Sequence, residues 1–283
     1  MSDPKELHRK ATKLRIECLK SIHKAKSGHT GGSMSAMDIL VTLYYGDLRG
    51  DAIMKYNPKK PDWEDQDYFV LSKGHAAPAL YAILADTGFF DKSELDYLRQ
   101  VNALLQGHPV IKIPGITLTT GSLGQGFAAA HGLALSLKMD HKTNKVFTLL
   151  GDGELQEGIV WETAMSAAQF KSENFIAFID NNEIQLDGFT RSIMNVEPII
   201  EKFAAFGWRT IPVKNGHDFN ELLSAVDKAL LPVRKPTVIV CNTIKGKGVA
   251  FAERNPSYHG VALSREEMEA AIPALEKELQ NIQ

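Results

Sequence analysis

The sequence of 283 residues has few of the features that mark membrane or secreted proteins. Its longest apolar runs, such as residues 175–179, are far shorter than the ~20 residues that a membrane-spanning helix needs, and its first ten residues are mostly polar. There are only two cysteines, Cys18 and Cys241, and each falls in an apolar pattern that predicts a buried thiol rather than a disulfide. We therefore expect a cytoplasmic protein that does not associate with membranes.

The sequence also lacks any long block of like charge. Its 32 basic and 34 acidic side chains give a formal net charge of -2, which does not favour nucleic acid or an anionic membrane as a partner. Two glycine-rich stretches, residues 121–126 (GSLGQG) and 245–248 (KGKG), match neither the GxGxxG dinucleotide fingerprint nor the GxxxxGK[ST] phosphate loop. Small-molecule partners other than nicotinamide cofactors or ATP are favoured.

Short apolar runs alternate with helical patterns along most of the chain. The runs YFVLS, VFTLLGD, FIAFIDN, TIPV and TVIVCNT each precede a glycine-containing turn or a helix start. This alternation is typical of βαβ units, in which a parallel sheet is buried on both faces. Because no internal repeat or domain boundary is evident, we predict one α/β domain over residues 1–283, with a doubly wound, mostly parallel sheet and helices on both faces.

Capping patterns predict where several helices begin. Three helix starts are predicted behind Asp3, Asp218 and Ser264, each followed three residues later by a glutamate. Residues 27–33 (SGHTGGS) predict a flexible loop that carries His29, because three glycines fall within seven residues. Ser35 and Asp38 then predict the cap of a second helix.

Two predicted strands end in polar residues that suit a divalent cation. Asp152 lies in the GDG turn behind the run VFTLL, and Asn182 follows the run FIAFID, with Ile184 two residues later. Since ligands gather at the carboxyl ends of parallel strands, the carboxylate, the amide and a backbone carbonyl could coordinate Mg²⁺, and Gly153 would let the backbone approach a phosphate. Taken singly, each pattern is more typical of an ordinary turn, but together they favour a metal and phosphate site.

At these residues the sequence resembles the thiamine diphosphate enzymes, and further stretches resemble the transketolases. The stretches SGHTGGSMSAMDIL, LSKGHAAPALYAIL, GHP, TTGSLGQG, GDGELQEG, DNNEIQLDG, KGKG and YHG occur in the order and spacing of that family. The resemblance covers essentially the whole chain, but only the N-terminal, diphosphate-binding part of a single-chain transketolase. Ser122 stands where the family often has proline, and Glu183 where it often has glycine; both contacts are expected to be backbone ones.

The resemblance implies thiamine diphosphate and Mg²⁺ as cofactors, with Ca²⁺ or Mn²⁺ as possible metals. It implies Asp152, Asn182 and the Ile184 carbonyl as metal ligands. The implied cofactor contacts are His75, Gly121, Ser122, Leu123, Gly153, Asn182, Lys245 and His259. His29, His108 and His259 would act on the substrate, and Glu157 would join a hydrogen-bonded network across a subunit interface. The remaining histidines are expected to be structural (His131), part of a turn (His217) or solvated (His8, His23 and His141).

The implied activity is transfer of a two-carbon ketol unit from a ketose phosphate to an aldose phosphate. The family's activating glutamate and phosphate-binding arginines lie in a pyrimidine-binding domain, which we expect on a separate C-terminal subunit within a heterotetramer. The alternatives are a subunit of a deoxyxylulose phosphate synthase or a 2-oxo acid dehydrogenase, or a non-catalytic thiamine diphosphate-binding protein. Pentose phosphates, an apiose-type ketose phosphate and a sulfonated ketose all remain possible substrates.

Overall fold

The computed structural model describes residues 2–282. Its strands are β1 (Asp47–Leu48), β2 (Asp51–Ala52), β3 (Tyr68–Leu71), β4 (Val146–Gly151), β5 (Phe175–Asn181), β6 (Ile184–Gln185), β7 (Gly188–Phe189), β8 (Arg209–Val213) and β9 (Thr237–Asn242). Its α-helices are α1 (Pro4–Ala25), α2 (Thr30–Tyr45), α3 (Ala77–Thr87), α4 (Gln125–Met139), α5 (Gly158–Gln169), α6 (Thr190–Ile193), α7 (Ile199–Ala205), α8 (Phe219–Leu230) and α9 (Arg265–Asn281).

Five strands form the central sheet in the order β3-β4-β5-β9-β8. Every neighbouring pair is parallel, and Gly151 lies opposite Asp180 while Asn181 lies opposite Asn242. The five apolar runs in the sequence correspond to these five strands, so that part of the fold prediction is confirmed. The register brings the carboxyl ends of β4, β5 and β9 to one edge of the sheet.

Alternate side chains of each central strand pack on opposite faces of the sheet. In β4, Phe147 and Leu149 join the cluster formed with α1, α2, α3, α8 and α9. Val146 and Leu150 join a second cluster formed with α4, α5 and α7. Because both faces of a strand are buried, its sequence is a continuous apolar run rather than an alternating one. Helices therefore cover both faces, which confirms the doubly wound architecture.

The predicted helix caps are present at three helices. Asp3 accepts a hydrogen bond from the Lys5 N–H before α1, and Asp218 accepts from the first turn of α8. Ser264 and Glu267 form a reciprocal capping box before α9. Both cysteines are buried and free, as predicted. None of the helices within residues 2–282 is long and apolar enough to cross a membrane.

Helix α2 begins earlier than predicted. It starts at Thr30, so most of the predicted flexible loop is helical, and Ser35 and Asp38 lie buried inside the helix rather than at its cap. A β-carbon on Gly31 would come within 2.9 Å of the Tyr258 carbonyl oxygen, so this glycine allows a close approach between distant segments. Tertiary packing here outweighs the low helix propensity of glycine, about 1 kcal/mol per residue.

Candidate active site at the carboxyl edge of the sheet

A cavity of about 290 Å³ lies where the carboxyl ends of β4 and β5 meet the start of α2 and the segments after β3 and β9. Ten of the predicted site residues line it: His29, His75, Leu123, Asp152, Gly153, Glu157, Asn182, Ile184, Lys245 and His259. His108, Gly121 and Ser122 do not line it. The His108 ring lies against Gly121, where a β-carbon would be 3.4 Å from the ring. The structure therefore brings most of the predicted residues together around one cavity.

The predicted metal ligands converge at the ends of β4 and β5. Asp152 is buried, and its Oδ2 accepts a hydrogen bond from Thr190 Oγ1 at 3.1 Å. Burial and the nearby Asp180 carboxylate raise the pKa of Asp152 to about 6, although Lys245 and Thr190 act in the opposite direction. A carboxylate with a raised pKa is one whose charge lacks compensation, which is the condition that a bound cation would relieve.

The Asn182 amide is held in a defined orientation. Its Nδ2 donates to Asp180 Oδ2 at 3.0 Å, and its Oδ1 accepts from the Ile184 N–H at 3.2 Å. The network thus assigns the amide nitrogen to the Asp180 side and the oxygen to the turn before β6. No group of three His, Cys, Asp or Glu side chains suited to a metal occurs within residues 2–282. A metal at this position would therefore need the Asn182 amide oxygen and the Ile184 carbonyl oxygen in addition to the Asp152 carboxylate.

Lys245 occupies the position beside the Ile184 carbonyl. Its Nζ donates to the Ile184 oxygen at 2.6 Å and lies 2.7 Å from His259 Nδ1. Burial, followed by the charge of Lys73, lowers the pKa of Lys245 to about 8, while Asp152 and Asp180 act against that shift. A positively charged side chain therefore lies directly next to one of the predicted metal ligands, the Ile184 carbonyl.

Three histidine rings cluster beside Lys245. The ring centroids of His29 and His75 are 5.0 Å apart, those of His29 and His259 5.6 Å, and those of His75 and His259 5.4 Å. Burial, with the charges of Arg99 and neighbouring groups, lowers the pKa of His29 to about 4. Burial and the Lys245 ammonium lower the pKa of His259 to about 3. These rings are neutral at physiological pH and can accept or donate a hydrogen bond.

Further polar groups support the site although sequence reasoning did not select them. Lys73 and Asp180 form a buried ion pair, and Asp180 also accepts hydrogen bonds from Ser35 Oγ and Thr243 Oγ1. Burial would raise the pKa of Asp180, but the Lys73 ammonium and these hydrogen bonds hold it below its usual value. Lys73 and Asp180 both lie at strand ends, in LSKGH and FIAFID. Because ligands gather at the carboxyl ends of parallel strands, the argument that selected Asp152 could have selected them as well.

Glu154 is a second buried group that sequence reasoning missed. Its carboxylate accepts hydrogen bonds from the Gly124 N–H at 2.8 Å, the Gly151 N–H at 3.1 Å and Ser72 Oγ. It thus ties the turn after β4 to the loop that carries Gly121, Ser122 and Leu123. Glu157, in contrast, is exposed at the rim of the cavity, where α5 begins.

The other histidines divide between structural and exposed positions. His131 is buried and lies 3.1 Å from Ser172 Oγ, and His141 is exposed, both as predicted. His8 and His23 are half-buried rather than solvated, since they contact Glu278 and the Leu263 carbonyl. His217 belongs to a buried network with Asp38 rather than only to the turn before α8.

Comparison with known proteins identifies the family. Residues 7–278 match the transketolase, thiamine diphosphate binding domain. A 6-deoxy-6-sulfo-D-fructose transketolase subunit of Clostridium sp. is 43% identical, over 96% of this chain and 97% of that protein. An apulose-4-phosphate transketolase subunit of Phocaeicola vulgatus is 34% identical, over 98% of this chain and 96% of that protein.

Full-length transketolases match over the same region. Human transketolase is 37% identical over 96% of this chain, which corresponds to 42% of the human protein. The crystal structure of Campylobacter jejuni transketolase superposes with a TM-score of 0.89 at 33% identity, and the match covers 99% of this chain and 43% of that one. The chain thus spans less than half the length of these transketolases. It belongs to the family of transketolase N-terminal, thiamine diphosphate-binding domains.

Proposed function

We propose that this chain is the diphosphate-binding subunit of a transketolase that moves a two-carbon ketol unit from a ketose phosphate to an aldose phosphate. The observation that carries the proposal is the single cavity in which the oxygens of Asp152, Asn182 and Ile184 lie beside a cluster of neutral histidines. Two relatives that match over nearly their whole length are named as transketolase subunits, which supports a role as one component of a larger enzyme.

In this proposal the chain binds the diphosphate end of thiamine diphosphate through a divalent metal. Asp152, Asn182 and the Ile184 carbonyl hold the metal, and phosphate oxygens and water complete its coordination. Mg²⁺ is favoured over Ca²⁺ or Mn²⁺, because three protein oxygens leave room for the phosphate and water ligands that Mg²⁺ usually keeps. The remaining cofactor contacts come from His75, Gly121, Ser122, Leu123, Gly153, Lys245 and His259.

The protein's own groups orient the substrate and move protons. When bound, thiamine diphosphate supplies the nucleophilic carbon and the electron sink that ketol transfer requires. His29, His259 and His108 exchange protons with substrate oxygens, since neutral imidazole can both accept and donate a hydrogen bond. His29 Nδ1 is buried and has no hydrogen-bond partner among residues 2–282, so its hydrogen-bonding capacity is unused within that part of the chain.

The enzyme in this proposal is completed by a separate C-terminal subunit that carries the pyrimidine-binding domain. Residues 1–283 form one domain, and two copies assemble with two partner subunits into a cytoplasmic heterotetramer. Glu157 is exposed at the cavity rim, and in this proposal it joins a hydrogen-bonded network across a subunit interface. The relatives' names span a sulfonated ketose and apulose phosphate, so both sugars are candidate substrates beside pentose phosphates.

The test is reconstitution with the C-terminal partner. Ketol transfer is measured with each of the two proteins by itself and with the mixture, using pentose phosphates, apulose 4-phosphate and 6-deoxy-6-sulfofructose as donors. Activity is expected only in the mixture with thiamine diphosphate and Mg²⁺, and it should fall sharply in the double variant His29→Ala, His259→Ala. The matched control is His131→Gln, which removes a buried histidine outside the cavity.

Two results would contradict the proposal. Full activity from this chain alone would refute the divided site. Unchanged turnover of the assembled complex with the two histidines removed would instead favour a non-catalytic thiamine diphosphate-binding role for this chain.

A further inference from the structure

His217 lies outside the cavity but contacts the segment that carries Lys245. It stands just before α8, and its side chain is only 7% exposed. Its Nδ1 lies 2.6 Å from Asp38 Oδ2, and its Nε2 lies 2.8 Å from the backbone nitrogen of Ile244, the residue before Lys245. One imidazole thus joins the buried helix α2 to the loop that follows β9.

The hydrogen bonds define the tautomer of His217. The Ile244 N–H can only donate, so Nε2 must accept and carry no proton. The proton is therefore on Nδ1, which donates to the Asp38 carboxylate. A backbone N–H and a carboxylate on the two ring nitrogens together fix both the tautomer and the ring orientation.

Asp38 is itself anchored by a second contact. Its two carboxylate oxygens accept from the Arg15 guanidinium at 3.0 Å and 2.5 Å, and Arg15 also donates to the Met34 carbonyl at 3.2 Å. Both side chains of this pair are almost completely buried. Burial would raise the pKa of Asp38, but Arg15 and His217 hold it well below its usual value. Helices α1 and α2 therefore provide a rigid, charged support for His217.

The supported segment has little other regular structure. Ile244 and Lys245 follow the end of β9, and Gly246 has a left-handed φ of +80°. The Gly246 N–H donates to the Gly31 carbonyl at 3.1 Å, and the Lys245 side chain then reaches the Ile184 carbonyl at 2.6 Å. The backbone at Lys245 is thus held from both sides, by His217 before it and by Gly31 after it.

We infer that His217 is a positioning residue of the cofactor site, which sets the backbone at Lys245 and so directs the lysine toward the diphosphate. The inference rests on the proposed function, because it assumes that Lys245 contacts thiamine diphosphate. Removal of the partner that orients a metal ligand typically costs about 10- to 100-fold in affinity or activity, and we expect an effect of that order for the partner that orients Lys245. A residue with only a structural role would lower stability without changing the affinity of the folded protein.

Two substitutions separate the two hydrogen bonds of His217. His217→Asn keeps a polar group near the Nδ1 position, facing Asp38, but has no acceptor for the Ile244 N–H. His217→Gln places an amide oxygen near the Nε2 position and keeps that acceptor. The matched control is His131→Gln, which removes a buried histidine bonded to Ser172 far along the chain from the Lys245 segment.

Binding is measured by titrating the assembled enzyme with thiamine diphosphate in excess Mg²⁺, and thermal unfolding is recorded for each variant. We expect about 10-fold weaker binding in His217→Asn. We expect the affinity for thiamine diphosphate to change by less than about twofold in His217→Gln and in His131→Gln, because both variants keep the hydrogen bond to the Ile244 N–H. Both variants should nevertheless be less stable than wild type, since each loses a buried hydrogen bond. Equal weakening in both His217 variants, or wild-type affinity in His217→Asn, would overturn the inference.

Hydrogen exchange in the free chain gives a readout that needs neither cofactor nor partner. The Ile244 amide should be protected in wild type and His217→Gln, and should exchange faster in His217→Asn. If wild type fails to bind thiamine diphosphate, the proposed function fails while this exchange experiment still tests the positioning role. If His217→Asn does not fold, the ¹⁵N shifts of His217 in wild type decide, since a protonated Nε2 would contradict the assigned hydrogen bond.

Discussion

Replacement of Lys73 by methionine should strongly destabilise the chain, because it breaks the buried ion pair with Asp180. The Lys73 and Asp180 side chains are 1% and 0% exposed, so water cannot take the place of the lost ammonium. Removing one partner of a buried pair costs about 3–5 kcal/mol, since it leaves an uncompensated buried charge. Ser35, Thr243 and Asn182 still donate to Asp180, which places the expected loss near the lower limit, about 3 kcal/mol.

Thermal and urea unfolding of the full chain measure this loss. For a domain of this size, about 3 kcal/mol corresponds to a fall in Tm of roughly 6 to 12 °C. The control is Lys92→Met, which breaks a pair with Asp86 in which Lys92 is 62% exposed. An exposed pair of that kind contributes less than about 1 kcal/mol. Equal changes in Tm for the two variants would refute the reasoning that burial makes the Lys73 pair costly to break.

The pH dependence gives a second check with a defined sign. In wild type the pKa of Asp180 is below its usual value, so its charged form stabilises the fold above the unfolded pKa, and this stability is lost as the pH falls through the folded pKa. Without Lys73, burial favours the protonated form, and protonation removes the buried charge. The difference in unfolding free energy between variant and wild type should therefore shrink from about pH 7 toward about pH 4.

Three further predictions test other parts of the site. In the proposed site the ionised carboxylate of Asp152 binds the metal, and its pKa is about 6, so Mg²⁺ affinity should fall about tenfold per pH unit below that value. Calorimetric titration at several pH values measures this, and an affinity that does not change with pH would exclude Asp152 as a ligand. Gly31→Ala should lower the Tm far more than Gly32→Ala in thermal unfolding. The added carbon would lie 2.9 Å from the Tyr258 carbonyl oxygen in the first variant but 3.4 Å from the His75 ring in the second. Ser264→Ala should cost about 1 kcal/mol of stability by removing the capping box of α9, with unchanged cofactor affinity in the same titration.

The strands of this fold could be predicted because the sheet is buried on both faces. Residues 146–150 are apolar except for Thr148, residues 175–179 are apolar throughout, and a glycine or an aspartate follows each run directly. The start of α2 could not be predicted, because the reason for Gly31 lies in a carbonyl more than two hundred residues later in the chain. A glycine that ends a helix and one that permits close packing inside it look the same in a single sequence.

The residues that line the cavity could be predicted from the sequence itself where they follow strands. His29, His75 and His259 were predicted only through the resemblance to the transketolases, whereas the position after a strand selected Asp152 and Asn182. It did not select Thr190 or Glu154, whose roles come from hydrogen bonds to segments distant in sequence. It also could not reveal the network of His217, because that network depends on contacts with Asp38 and Ile244, which are distant from His217 in the sequence.

Two pairs of buried ionisable residues around the cavity differ in how well their charges are compensated. Lys73 and Asp180 face each other directly, and the pKa of Asp180 stays low. Lys245 contacts the neutral acceptors Ile184 and His259, and its pKa is lowered while that of Asp152 is raised, so both groups are shifted toward their neutral forms. A cation beside Asp152 and a diphosphate beside Lys245 would each supply the missing opposite charge. The first pair is therefore part of the scaffold, and the pKa shifts of Lys245 and Asp152 support the proposed metal and diphosphate site.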